Sequence, residues 1–178
     1  LLGVVNFAHG AFFMLGAYLT FQVVVQWGLS FWAALFVVPL LLAVVGFAIE
    51  RAVLRHVYDE NPLIGLLATF GLALMLTEAT RAVWGGSPLS VPTPPVLQES
   101  LSLGVTTIAR MRLFTVVVSV LVVAAVYLLI ERTDFGLSIR AGVLDREMAE
   151  FLGVNIPLRF VLIFMLGAAI AGLGGVLR

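Results

Sequence analysis

The sequence predicts an all-α fold, a polytopic bundle of about five membrane-spanning helices with one short helix in a polar connection. Three observations carry that expectation. Of the 178 residues 62% are hydrophobic and 11% charged, with a mean hydropathy of +1.15; a soluble domain holds roughly 45–50% apolar and about 25% charged residues. The apolar residues fall into five runs, each near the roughly 20 residues a helix needs to cross a hydrocarbon core. The runs are continuous, whereas a membrane barrel would show alternating segments of about ten residues.

The first span is expected over 8–25, after Val4-Val5-Asn6-Phe7. The second, 31–49, is free of charge and holds one proline, Pro39, a kink that a membrane helix tolerates. The third, 63–84, begins apolar and then carries Thr77, Glu78, Thr80 and Arg81. The fourth, 113–130, is rich in Val and Leu, with Thr115 and Ser119 as its polar side chains. The fifth covers 160–177. The connection 26–30 is a tight turn with Trp27, a ring suited to a membrane interface. The connection 50–62 is short and charged. The stretch 85–112 contains Gly85-Gly86-Ser87-Pro88 and Pro92-Thr93-Pro94-Pro95, which resist helix and favour turns or extended chain. The stretch 131–159 is the longest charged one.

Charge sets the expected orientation. All ten basic residues are Arg, balanced by ten acids. The connections 50–62 and 131–159 lie on the same side and hold Arg51, Arg55, Arg132, Arg140, Arg146 and Arg159. By the positive-inside rule both face the cytoplasm, which makes 85–112 extracytoplasmic. The chain opens at Leu1 inside an apolar run and closes inside the Gly/Ala-rich run after Gly167, without the basic region and cleavage site of a signal peptide. It is therefore expected to be an internal piece of a longer polytopic protein.

Several function classes drop out. A net charge of zero offers no clustered basic surface for nucleic acid. The absence of Cys removes disulfides, thiolate metal sites and Cys nucleophiles, and two His make a His-rich metal site an unpromising expectation. No paired carboxylates stand out, and Gly172-Leu173-Gly174-Gly175 lacks the Lys and Ser/Thr of a phosphate loop. The chain is thus expected to bind no cofactor and to catalyse nothing by itself; its solvent is membrane lipid.

The segment 136–153 is too polar to span and too patterned for a spacer. Leu144, Met148, Phe151 and Leu152 follow the i, i+4, i+7, i+8 stripe of a short amphipathic helix. Asp145 suits its start through the helix dipole, Gly153 and Asn155 suit its end, and Pro157 stops it. Such a helix either rests on lipid headgroups or meets a partner. Elsewhere, Asn6, His9 and Gly10 at the start of the first span either offer polar groups to a solute path or serve capping and close packing. Glu78 and Arg81, spaced i, i+3, either form an ion pair at the span end or line the outer mouth. Gly167, Ala171, Gly172 and Gly175 form a small-residue face for helix packing, inside one subunit or between two.

Longer motifs choose between these readings. Glu147-Met148-Ala149, with Gly153 and Ile163 at their spacing, resembles the EAA loop of import-type ABC permeases. Val5-Asn6-Phe7-Ala8-His9-Gly10 followed by Phe13-Met14-Leu15-Gly16-Ala17-Tyr18 is similar to the early signature of branched-chain amino acid ABC permeases. The same holds for Ile49-Glu50-Arg51 with Leu54-Arg55, for Arg140-Ala141, Asp145, Ala149 and Leu152-Gly153-Val154-Asn155, and for the small-residue run Gly167–Leu177.

That resemblance implies a multi-pass permease subunit in a bacterial plasma (inner) membrane, importing branched-chain amino acids or related small solutes. It implies ABC ATPase subunits that carry ATP and Mg, a second permease subunit, identical or homologous, and a periplasmic or lipid-anchored solute-binding protein. It assigns Arg140, Asp145, Glu147, Ala149, Leu152 and Gly153 to the ATPase-coupling loop. Asn6, His9, Gly10 and Glu78 stand as candidates for the translocation path. Two rivals remain at this point. An ion-coupled secondary transporter needs a titratable group deep in a span, for which Glu78 alone is available; a membrane-embedded enzyme needs a convergent acid, base or metal set.

Overall fold

The computed structural model describes residues 6–58, 60–86, 89–102 and 107–178. Val4 and Val5 of the opening motif and Ser87-Pro88 of the long connection lie outside the described residues. Helix α1 (Ala8–Phe21) runs on through a single π-helical turn, Gln22–Gln26. It is followed by α2 (Phe31–Ala52), a 3-10 turn at Leu54–His56, and α3 (Pro62–Trp84). A short α4 (Pro95–Gln98) leads into an antiparallel hairpin, β1 (Ser100–Ser102) with β2 (Thr107–Ala109). Then come α5 (Arg110–Arg132), α6 (Asp134–Leu144), α7 (Arg146–Phe151) and α8 (Ile156–Val176). Among the described residues five helices are long and apolar enough to cross a membrane: Ala8–Gln26, Phe31–His56, Leu63–Trp84, Arg110–Arg132 and Ile156–Val176. The chain is a multi-pass, all-α membrane protein.

Local chemistry sets the helix starts. Lipid offers no partner for the free N–H groups of a first turn, so side chains supply them. Asn6 Oδ1 accepts from the Ala8 N–H (3.0 Å), Ser30 Oγ from Ala33 (3.2 Å) and Asn61 Oδ1 from Leu63 (3.0 Å). Asn155 Oδ1 accepts from Leu158 (3.1 Å) at the start of α8. Inside the spans, Thr20, Thr77 and Thr80 each donate to the carbonyl four residues back, so their hydroxyls need no lipid contact.

Three boundaries differ from the hydropathy reading, each for a physical reason. Helix α2 passes through Pro39 and continues to Ala52, which places Glu50 inside the helix and not in the following connection. Helix α8 begins at Ile156, because Pro157 takes a first-turn position where its missing N–H is not needed; it starts a helix here, where the sequence reading had it only stopping one. The stretch 131–159 holds two helices where one was expected, since α6 has its own N-cap: Thr133 Oγ1 accepts from the Gly136 N–H (3.3 Å).

Helix α8 is the axis of the bundle, packed between α1 and α2, with α3 on the far side of α1. Of its span 44% is buried, against none of α5. The buried cluster joins Phe12 of α1, Val38 and Leu42 of α2, and Ala168, Ala171 and Val176 of α8. Helix α5 leans on this body through Phe114, whose ring lies 5.5 Å from that of Trp32. At one end Trp84 donates its indole N–H to Gln22 Oε1 (3.1 Å), tying α3 to the π turn of α1. At the other end Asn6, Leu54, Tyr58, Gly65 and Phe164 line one cavity of about 60 Å³, so the start of α1, the end of α2 and the start of α3 meet there.

The small-residue face of α8 is spent within the chain. A Cβ added at Gly175 would lie 2.5 Å from the Ala17 nitrogen and the Phe13 carbonyl oxygen, and one at Gly16 would lie 2.7 Å from the Gly172 carbonyl oxygen. Helices α1 and α8 therefore touch backbone to backbone, and Ala171 is buried in the apolar cluster of the bundle. Gly167 differs, with nothing within 4 Å of its would-be Cβ. Gly175→Ala is expected to destabilise the folded protein by about 1–3 kcal/mol, the usual cost of overpacking. Gly167→Ala is expected to be neutral or slightly stabilising. Thermal unfolding of the full-length protein in detergent checks the contrast.

Candidate functional site

The end of the molecule that carries the Arg-rich connections presents a built corner, α5–α6–α7–α8. At the α5–α6 turn a Cβ on Gly136 would meet the Ile130 carbonyl, so the two helices close more tightly than any side chain permits. Arg140 spans the same turn: its Nη1 donates to the Ile130 carbonyl (2.9 Å) and pairs with Glu131 Oε2 (3.0 Å). Asp145 serves two helices at once. Its N–H donates to the Ala141 carbonyl at the end of α6 (3.0 Å), and its Oδ1 accepts from the Met148 N–H at the start of α7 (2.9 Å).

Helix α7 ends through its own backbone. The Gly153 N–H donates to Glu150 O (2.9 Å) and the Val154 N–H to Ala149 O (3.1 Å), a Schellman closure that puts Gly153 at φ +85°. Arg146 Nε and Glu150 Oε1 pair across one turn at 3.1 Å. Ala149 is the helix's buried anchor, clustered with Ile139 of α6 and Ile156, Phe160 and Ile163 of α8. The amphipathic stripe points the other way. Leu144 is 87% exposed, Phe151 88% and Leu152 78%, and Met148 and Glu147 are exposed beside them. Large side chains presented together at a knob are the mark of an interaction surface.

A second feature at this end was not read as functional in the sequence. Glu50 is 1% exposed, and its Oε2 has no hydrogen-bond partner among the described residues; the same is true of the Tyr58 hydroxyl. Each unsatisfied buried group costs about 1–3 kcal/mol. Burial first, and then the nearby Glu50 charge, raises the Tyr58 phenol well above its ordinary pKa, so it stays a protonated donor. A hydropathy boundary after Ile49 had put Glu50 in a solvated connection. The available signal was a lone carboxylate directly abutting an apolar run, two residues short of the helix's end.

The remaining candidates are dispersed. Asn6 is a helix cap and lines the small cavity. His9 and Gly10 are exposed, and nothing lies within 4 Å of a Cβ placed on Gly10. Glu78 accepts from Arg81 Nη1 at 2.9 Å, an exposed i, i+3 pair on α3. The larger cavity, about 420 Å³, opens at the opposite end of the bundle; Tyr18, Thr20, Phe31, Ser90, Thr93 and Arg178 are among its lining, and it includes none of these four. No group of three or more His, Cys, Asp or Glu suited to a metal occurs among the described residues.

Comparison with known proteins matches a family model described as a branched-chain amino acid transport system permease component to residues 1–178. The high-affinity branched-chain amino acid transport system permease protein LivH of Escherichia coli (strain K12) is 30% identical over 191 residues, covering 99% of this chain and 61% of that protein. BraD of Pseudomonas aeruginosa, of the same description, is 31% identical over 192 residues, with the same coverage. The chain therefore spans about 61% of the length of the curated relatives it matches. No solved structure matches.

Asp145→Ala removes the acceptor at the start of α7 and is expected to cost about 1 kcal/mol locally, while Asp145→Asn keeps it. Amide hydrogen exchange over 146–151 in the full-length protein should speed up in the first variant and stay near the parent rate in the second.

Proposed function

The chain belongs to the branched-chain amino acid transport permease family, and from that premise we propose that it is the membrane-spanning body of an importer subunit for branched-chain amino acids or related small solutes. The importer is ATP-driven, and ATP with its Mg is bound by separate ATPase chains in the cytoplasm. A second permease subunit completes the path, and a periplasmic or lipid-anchored binding protein delivers the solute. The Arg-rich end faces the cytoplasm of a bacterial inner membrane, in keeping with the positive-inside rule.

The observation that carries this reading is the outward apolar face of α7. Leu144, Phe151 and Leu152 are the most exposed large apolar side chains of the α6–α7 region, yet the helix under them is capped, closed and anchored. A segment that only linked two spans would gain by turning that face inward. A groove on an ATPase can cover it, as the family resemblance of Glu147, Ala149 and Gly153 implies.

The mechanism follows from how the knob is fixed. Closure of the ATPases moves α7; Asp145 couples α7 to α6, Arg140 couples α6 to the end of α5, and Ala149 against Ile156 couples α7 to the foot of α8. Displacement of the knob then becomes displacement of α5 and α8, and alternating access results from the tilt of the bundle. Gly153 is part of the knob's rigidity, since a bulky residue strains its positive φ; such a variant should insert in the membrane yet lose coupled ATP hydrolysis.

Phe151→Glu places a charge in the face meant for the ATPase. Copurification of the ATPase with the full-length permease should fall at least about tenfold, as expected for loss of an anchor worth about 2 kcal/mol or more, with membrane insertion unchanged. Undiminished copurification and uptake would sink the docking role of α7.

A further inference from the structure

Two apolar clusters organise this molecule. One fills the bundle, around Phe12, Leu42 and Ala168, and the other holds α6 and α7 to the foot of α8, around Ile139, Ala149 and Ile156. Among the described residues Tyr58 alone packs against both. Its ring meets Phe160 of α8 edge-on at a centroid distance of 5.4 Å. The residue also lines the cavity of about 60 Å³ with Leu54, Gly65 and Phe164, so free volume adjoins it. The Tyr58 hydroxyl is a donor without an acceptor, and the buried Glu50 Oε2 is an acceptor without a donor.

A donor left orphaned within the field of a charged acceptor that is orphaned too, with free volume beside the donor's ring, describes one half of a two-state element. Both groups would be satisfied by one charge-assisted O–H···O bond, which the present arrangement does not make. Helix α2, which carries Glu50, is packed on α8, and Phe160 of α8 bears on the tyrosine ring, so a shift of the α8 foot changes where that ring sits.

We propose that Tyr58 is a positioning residue of the transport cycle. It wedges between the α6–α7 cluster and the bundle, and closes its hydroxyl onto Glu50 in the second arrangement of this end, which holds the bundle in the tilted state. The role rests on the importer reading above and adds to it a residue outside the coupling loop. The chemistry is a hydrogen bond made and broken, with no proton transferred.

The test uses the full-length permease with its ATPases and binding protein in proteoliposomes, measuring solute moved and ATP hydrolysed in the same vesicles, with leucine as the solute. Tyr58→Phe keeps the ring and removes the hydroxyl; Glu50→Gln keeps the shape and weakens the acceptor. Each is expected to lower the ratio of solute moved to ATP hydrolysed by at least about fivefold, the low end of an allosteric coupling, with ATPase copurification at the parent level. The double variant should be no worse than the more severe single. A ratio within about twofold of the parent in Tyr58→Phe, or losses that multiply in the double variant as for independent sites, overturns the proposal while leaving the importer reading in place. A parent complex that hydrolyses ATP without moving leucine or another branched-chain amino acid overturns both.

Discussion

The backbone contact between α1 and α8 is the constraint on which the rest of the structure depends. Lipid is as apolar as leucine, so burying leucine between two membrane helices gains little, and association must come from close approach. Gly16, Gly172 and Gly175 provide it, with the chain of one helix lying where a side chain of the other would stand. Leu42 of α2 then fills the space over Gly172, and Ala168 faces Gly46. One helix is thus gripped from two sides. Because α8 is fixed against α1 and α2 over its upper half, the motion proposed at its foot, where Phe160 and Ile156 meet the α6–α7 corner, would be a tilt about that grip and not a slide.

The corner itself is stiff for different reasons. It lies at the wet end of the bundle, where polar groups hold. Arg140 joins two helices with one nitrogen, Asp145 caps one helix and ends another, and Gly153 closes α7 in a tight backbone turn. A short helix of six residues is not stable alone. Here it is stable because each end is bonded and Ala149 is buried, so the exposed apolar residues on its far side are held in place without any packing of their own. Binding such a surface costs a partner little ordering entropy.

How much of this was legible in the sequence depends on which physical signal each part leaves. Five spans were readable because continuous apolar runs have no other cheap explanation. The small-residue face at Gly167, Ala171, Gly172 and Gly175 was readable as a face, but not its destination: spacing fixes which residues line up, and only the fold shows that Gly172 and Gly175 meet α1 while Gly167 stays open. Asp145 and Gly153 were readable because capping is local. The separate helix α6 before Asp145 was not, since its start rests on Thr133 acting as a cap within an otherwise continuous helical pattern. Glu50 was misplaced because hydropathy ends a span at the first charge, whereas a helix ends where its hydrogen bonds do.

Glu50 also shows why a buried charge at a span end differs from an exposed one. Glu78 lies on α3 with Arg81 beside it and both side chains exposed, so its pairing contributes little either way. Glu50 has Arg51 next in the chain, but that guanidinium lies over the Phe47 ring, 5.9 Å from its centroid, and leaves the carboxylate oxygen unbonded. Removing one partner of a buried polar pair is costly in any protein; keeping both and leaving them apart is costly as well. A fold that retains this arrangement at the point where the bundle meets the α6–α7 corner holds free energy that the formation of one hydrogen bond would release. On the proposal that Tyr58 closes onto Glu50 in the second arrangement, that release favours the displaced corner, so the force needed from outside to move α7 is smaller than the packing of α8 alone would demand.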